Sequence, residues 1–344
     1  MKKVITFGEI MLRLSPSEKG ERLTQATQFR IEPGGSESNV AIALSNLGQS
    51  TRFITRLPDN PLSNKILQNL KQFDVDTSEI VLGGEKLGIY WTENGIGPRN
   101  SFVIYDRDHT SFSEMNITDF EWGTIFNESS WFHFSGISPA ISKEVYDVLL
   151  DAVSMINIPY SVDLNYRAKL WNWINNDPSL INEYMSLLCQ KATLIAGNES
   201  DFQDVFDIKV SGTSQEEVLE QISLKCFERF PNLKYISISN REAISASSNI
   251  WNGLLFVKEN NPAKYTGIKY KLEPIADRVG TGDSFVAGII YGLLNKQKYT
   301  YKEIVDFATT LAALNHTTLG DASRFTAKEV WKVIENNGTG RIIR

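Results

Sequence analysis

The sequence predicts an α/β fold: a mostly parallel, doubly wound sheet with helices on both faces and a small β-sheet lid. Three observations predict it. Short apolar runs alternate with longer helical patterns along 344 residues, an order that builds parallel strands joined by crossover helices. Two stretches, 11–33 and 84–114, replace that order with strand-like alternation, aromatics and turn glycines, which suits a small antiparallel sheet. No internal repeat or low-complexity linker divides the chain, so one domain over 1–344 is expected, with the lid formed by the insertions at about 11–33 and 84–114.

Each element has its own signal. Apolar, β-branched runs predict strands at 3–7, 51–55, 131–134, 160–163, 193–196 and 235–239, with a further strand near 272–275. Helical spacing of apolar residues predicts helices at 38–47, 62–73 and 143–155. The two insertions serve either as a lid that closes over a ligand or as an extension for dimer contacts, because edge strands suit both roles.

Composition excludes several classes. Hydrophobic residues at 42% and charged residues at 22% are ordinary globular values, neither fibrous nor disordered. With 35 basic against 41 acidic residues and a net charge of -6, there is no electrostatic footprint for nucleic acid or for an anionic membrane. The two cysteines, Cys189 and Cys226, form no CxxC pair and read as reduced, buried thiols. The opening MKKVITFGEIMLRL is interrupted by Glu9 and Arg13, so it reads as a first strand rather than a secretory signal. No apolar run reaches the roughly 20 residues of a membrane span, and a cytoplasmic location is expected.

In an open α/β sheet, ligands bind where the strands end. Polar residues cluster at those ends: Gly8-Glu9, Ser135-Gly136, Asp163-Leu164-Asn165-Tyr166-Arg167, Gly197-Asn198-Glu199-Ser200-Asp201, and Asp277 before a glycine loop. Any one of them could equally cap the next helix. Their coincidence across the sheet is what points to a site.

The stretch ADRVGTGDSFVAGIIYGLL, 276–294, carries the chemistry. Apolar residues at 285, 286, 289, 290, 293 and 294 start a helix near Asp283. Gly280, Thr281 and Gly282 stand just before it, where free amides and the positive end of the helix dipole can cradle an anion. Asp283 could simply cap that helix. It could also accept the proton of a hydroxyl attacking a phosphoryl group held by the amides. A second bare turn, Gly34-Gly35 in EPGGSESNVAIALSNLG at 32–48, meets another helix start, with Asn39 placed to bind hydroxyls.

Together, in this order and spacing, GGSESNVAIALSNLG and DRVGTGDSFVAGIIYGLL resemble the two signatures of the PfkB, or ribokinase-like, sugar kinase family, over essentially the full length. The resemblance implies a ribokinase-like core with a β-lid, ATP and Mg2+ as cofactors, Asp283 as general base, and the amides of Gly280, Thr281 and Gly282 as the anion hole. It implies a small-molecule sugar or sugar acid as substrate, no nucleic-acid or membrane partner, and a homo-oligomer assembled through the lid. Asn198 and Asp201 correspond to the family's NxxE segment near metal and phosphates, with Asp201 one methylene shorter than the usual Glu, so that Glu199 could contribute instead. Asp277 resembles a position that helps bind a monovalent cation, potassium, in some members. In SISNREAISASSN at 237–249, Ser239 and Arg241 fall where relatives have a glycine turn at the nucleotide, and Asn315 in ALNHTTLGD resembles the segment flanking adenine.

Within the family the chain is most similar to 2-dehydro-3-deoxygluconate kinases, in SGISPA at 135–140, DLNYRAKLW at 163–171, and Tyr90, Tyr105 and Arg107 of the lid. A linear keto acid has a carboxylate that the forks of Arg107 and Arg167 match, although Arg107 could instead form a lid salt bridge. Fructokinases and 5-dehydro-2-deoxygluconokinases share parts of this pattern. A catalytically silent nucleotide- or sugar-binding regulator is the reading from another class. His109, His133 and His316 lack metal-ligand spacing, and Trp171 and Trp173 read as packing anchors.

Overall fold

Alternation within single strands lays down two cores. In the strand Lys3–Phe7, Val4 packs with one apolar cluster while Ile5 and Phe7 pack with another, because successive side chains of a strand point to opposite faces. Trp131 against Phe132 and Phe134, and Leu194 against Ile195, divide in the same way. Both faces of the sheet are thus covered, and this is the computed structural model of the chain, describing residues 2–260, 262–336 and 338.

Six strands run parallel in the order Thr51–Ile54, Lys3–Phe7, Ser129–Ser135, Tyr160–Asp163, Leu194–Gly197 and Tyr235–Ser245. The sheet then turns antiparallel through Ser248–Val257, Ala263–Thr266 and Tyr270–Leu272. Two expectations are corrected here. The strand expected at 235–239 continues to Ser245 as one arm of a long hairpin, its polar outer half paired with Ser248–Gly253. The strand expected near 272–275 is the short antiparallel edge Tyr270–Leu272, which pairs with Asn249–Trp251. The glycine loop therefore arrives from the antiparallel edge, not from a core strand.

The helices start where local chemistry allows. Asn60 accepts from the amides of Leu62 and Ser63 at 3.0 and 3.1 Å, with Pro61 as first residue of the Pro61–Gln72 helix, a capped and pre-set helix start. The buried helix Thr281–Leu294 lies against Tyr301–Asn315 so closely that a Cβ on Gly288 would fall 2.5 Å from the Cα of Ala308. That contact explains the stripe of small residues in its sequence. Among the described residues no helix is long and apolar enough to cross a membrane.

A separate four-stranded sheet, ordered Phe29–Gly34, Met11–Pro16, Ile89–Glu93, Phe102–Asp106, forms the lid. Its middle pair, Met11–Pro16 with Ile89–Glu93, is parallel, against the antiparallel expectation; the two strands come from different insertions rather than one hairpin. Between lid and sheet ends lies a cleft of about 1560 Å3.

Candidate active site

Two helix starts converge on one carboxylate. Gly280 precedes the Thr281–Leu294 helix with φ 76°, a left-handed conformation that side chains resist. A Cβ there would also fall 1.7 Å from the carbonyl oxygen of Asp321. With glycine at the cap, no side chain occupies the helix's first amides, and a Cβ on Gly282 would meet no atom within 4 Å. The free amides of the first turn therefore face open space in the cleft.

Asp283 stands on that first turn, 7% exposed. Its Oδ1 accepts from Ser36 Oγ and its Oδ2 from Asn39 Nδ2, each at 2.7 Å; both donors sit at the start of the Ser36–Asn46 helix. Asn165 Nδ2 donates to Ser36 Oγ at 3.2 Å, extending the relay. Burial pushes the Asp283 carboxyl up to about 6, against the two hydrogen bonds and the nearby charge of Arg167. It is thus a carboxylate near neutral pH, poised to take a proton.

Arg167 is exposed to the cleft, and its one hydrogen bond among the described residues runs from Nη1 to the Tyr166 carbonyl at 2.9 Å. Arg107 is different: Nε and Nη2 donate to Glu9 Oε2 at 3.0 and 2.6 Å, while Thr110 Oγ donates to Glu9 Oε1 at 2.6 Å. Of the two alternatives for Arg107 the salt bridge is the one formed, while Arg167 has no carboxylate hydrogen bond among the described residues. Tyr105 stacks on Tyr90 at 5.8 Å with Arg107 over its ring, and Tyr90 donates its hydroxyl to Asp321. Gly34, Gly35, Tyr90, Tyr105 and Arg107 all line the cleft.

Residues 1–326 match the family of pfkB carbohydrate kinases. The chain belongs to this family. It is therefore a phosphotransferase with a sugar hydroxyl as acceptor. Its fold is similar to that of a 2-dehydro-3-deoxygluconokinase from Thermotoga maritima, with a TM-score of 0.91 and 37% identity over 97% of this chain and 100% of that one. A 2-dehydro-3-deoxygalactonokinase from Haloferax volcanii is 29% identical over 98% of each chain. A 5-dehydro-2-deoxygluconokinase from Geobacillus thermodenitrificans is 25% identical over 85% of this chain and 81% of its own.

In this pfkB kinase, Asn39, Asn198, Asp201 and Asp277 line the cleft, and each also has a partner within the protein. Asn39 lines the cleft and donates its Nδ2 to Asp283. Asn198 and Asp201 cap the Glu199–Phe206 helix reciprocally: Asn198 Oδ1 accepts from the Asp201 amide at 3.0 Å, and Asp201 Oδ2 from the Asn198 amide at 2.9 Å. Asp201 Oδ1 also accepts from the Tyr166 amide. The oxygens expected to hold a metal are engaged by backbone N–H groups. Asn315 is buried outside the cleft lining and donates to the carbonyls of Val279 and Asp321, so it braces the glycine loop. Asp277 is ion-paired with Arg13 Nη2 at 2.7 Å. Ser239 and Arg241 do line the cleft, and Arg241 adds a like charge beside Arg278, which together with burial lowers the pKa of Arg278.

Two further carboxyls shape the site: Asp163, already flagged as a polar strand end, and Glu37, which the sequence did not single out. Asp163 ends its strand buried but facing the cleft; burial, then Asp201 and Asp283, push its carboxyl well above the usual range. Glu37 accepts from the Ser135 amide and from the hydroxyls of Ser135 and Ser138 at 2.7 to 2.9 Å, so SGISPA is held by a buried carboxyl, pushed up to about 7 by burial. The polar strand ends flagged Glu9, Ser135 and Asp163, but the pairing of Glu9 with Arg107, Ser36 with Asp283 and Asp321 with Tyr90 has no local signal. His133 is a core histidine bonded to Ser161 at 2.8 Å, and Trp173 stacks on Tyr184.

Proposed function

We propose that the protein is an ATP-dependent kinase of 2-dehydro-3-deoxy-D-gluconate, transferring the γ-phosphoryl group to its terminal hydroxyl. The observation that carries the substrate is Arg167: a cleft-facing guanidinium with no carboxylate hydrogen-bonded to it among the described residues, close enough to favour the charged forms of Asp163, Asp201 and Asp283. An unpaired fork of this kind matches a sugar acid's carboxylate. A neutral sugar offers it nothing comparable. The names of the Thermotoga and Haloferax relatives point to the same class of sugar acid.

Asp283, held by Ser36 and Asn39, accepts the proton of the attacking hydroxyl. The amides of Gly280, Thr281 and Gly282 receive the charge on the phosphoryl oxygens. The lid, carrying Tyr90, Tyr105 and Arg107, shields the acceptor so that water does not replace the sugar as nucleophile. Ser239 and Arg241 lie along the same cleft and contact the nucleotide.

The donor set suits magnesium, which is commonly bound through one or two carboxylates together with substrate phosphates. Asp163 is the fitting ligand: its carboxylate accepts no N–H or O–H within the described residues, while neighbouring carboxylates disfavour its charge. The ion would neutralise charge on the phosphates.

A panel assay with ATP and Mg2+ tests the reading across 2-dehydro-3-deoxygluconate, its galactonate epimer, 5-dehydro-2-deoxygluconate and fructose. The highest kcat/KM is expected for the first. Preference for fructose would reject the sugar-acid reading, and nucleotide binding without any turnover would favour a silent regulator.

A further inference from the structure

We infer that Arg13 is a built-in replacement for a monovalent cation beside the phosphate cradle, so that this kinase needs no such ion. The inference rests on the kinase reading above. It begins from a mismatch between the expected potassium position at Asp277 and the groups that surround it.

Asp277 is 3% exposed and both its oxygens are in use. Oδ2 accepts from Arg13 Nη2 at 2.7 Å, and Oδ1 accepts from the amides of Arg278 and Val279 at 2.7 and 3.2 Å. The neighbouring carbonyls that a cation would seek, those of Val279 and Asp321, face the Nδ2 of Asn315 at 3.5 and 3.3 Å. An N–H donor therefore stands at both Asp277 oxygens and at the Val279 and Asp321 carbonyls, and Asn315 Oδ1 is the buried oxygen there that has no partner among the described residues.

Arg13 is suited to the task. It is 1% exposed, and Nη1 pairs with Asp321 while Nε donates to Ser15 at 3.0 Å and Thr92 at 2.9 Å. A guanidinium keeps its charge in such a place when its fork is matched by carboxylates; Asp321 and Asp277 do this here and hold its pKa above the ordinary value against burial. The position gives the charge a role. Asp277 and Val279 begin the loop that presents the cradle, and the Asp321 carbonyl abuts Gly280. One fixed cation thereby braces both strands of chain that shape the anion hole. Arg13 itself comes from the lid strand Met11–Pro16, so the brace also ties the lid to the cradle. It is a positioning residue, without contact to the reacting atoms.

The test uses the full-length protein and Mg2+ throughout. Turnover of the best sugar acid, and calorimetric affinity for a non-hydrolysable ATP analogue, are measured in potassium, sodium and tetramethylammonium chloride at equal ionic strength. Both quantities should agree within about twofold across the salts; a gain of about tenfold in potassium over tetramethylammonium would overturn the inference. Absence of turnover in every salt would count against the kinase reading, and the nucleotide titration would still decide this one. Arg13→Gln should lose about tenfold or more in kcat and recover part of it with added guanidinium ion, whereas wild-type kcat in that variant would overturn the role. Should the variant not fold, the wild-type salt comparison stands alone.

Discussion

Two helices open onto the cleft with a buried aspartate as their third residue, Asp283 in Thr281–Leu294 and Asp201 in Glu199–Phe206. Their environments begin alike and end differently. Asp201 folds back onto its own cap, Asn198, and each satisfies the other's backbone N–H. Asp283 has glycine at its cap, so it has no side chain to reciprocate and reaches instead to Ser36 and Asn39 of another helix. The first helix end is consumed by its own side chains; the second keeps its amides for a ligand. The lesson is that the residue at the cap, not the aspartate, decides whether a helix start is structural or can bind an anion.

The largest expected effect separates the two aspartates. Asp283→Asn should lower kcat by roughly 10² to 10⁴ while nucleotide affinity, measured by calorimetry, stays near wild type. Asp201→Ala should leave kcat within about threefold and instead cost about 1 kcal/mol in denaturant unfolding, the value of a lost cap. A hundredfold loss of kcat in that variant at unchanged stability would return Asp201 to the metal. Arg167→Ala comes next: KM for the sugar acid should rise about 10- to 100-fold, the worth of a hydrogen-bonded charge, with less change for a neutral sugar.

Gly280→Ala probes the cap directly. The strained φ and the carbonyl of Asp321 should together cost about 1–3 kcal/mol of stability, with weaker nucleotide binding; an unaffected variant would mean that the turn tolerates a side chain. The smallest effect is on pH. Because Asp283 acts as a base with its carboxyl pushed up to about 6, kcat/KM should fall about tenfold per pH unit below that value. Asn39→Ala removes a hydrogen bond that favours the charged form, so the acid limb should move to higher pH. A shift to lower pH would show that Asn39 does not hold the base.

Where chemistry is local, the sequence was readable. The helix beginning at the second glycine motif, its small-residue stripe and the alternating strands follow from spacing over a few residues, and the helix is found at Thr281–Leu294. The lid's strands fall within the two insertions that break the helical pattern. The arginines show the limit. Arg107 and Arg167 look equivalent as letters, yet Arg107 is ion-paired with Glu9, 98 positions away in the chain. The capping of Asp201 was legible as an alternative in the Asn198 spacing, and the choice between cap and ligand depended on which way a side chain turned.

Sequence alone carried the family resemblance in its two glycine motifs, and it determined the mostly parallel character of the core and the bare glycine turn before Asp283, because hydrophobic period and glycine content act over neighbouring residues. Tertiary structure decided which charges are free. Asp283 meets Asn39 across 244 positions and Arg13 meets Asp321 across 308, and burial then sets the protonation of what remains. Pairing at such separations depends on how the chain packs as a whole, so no single stretch of sequence records it.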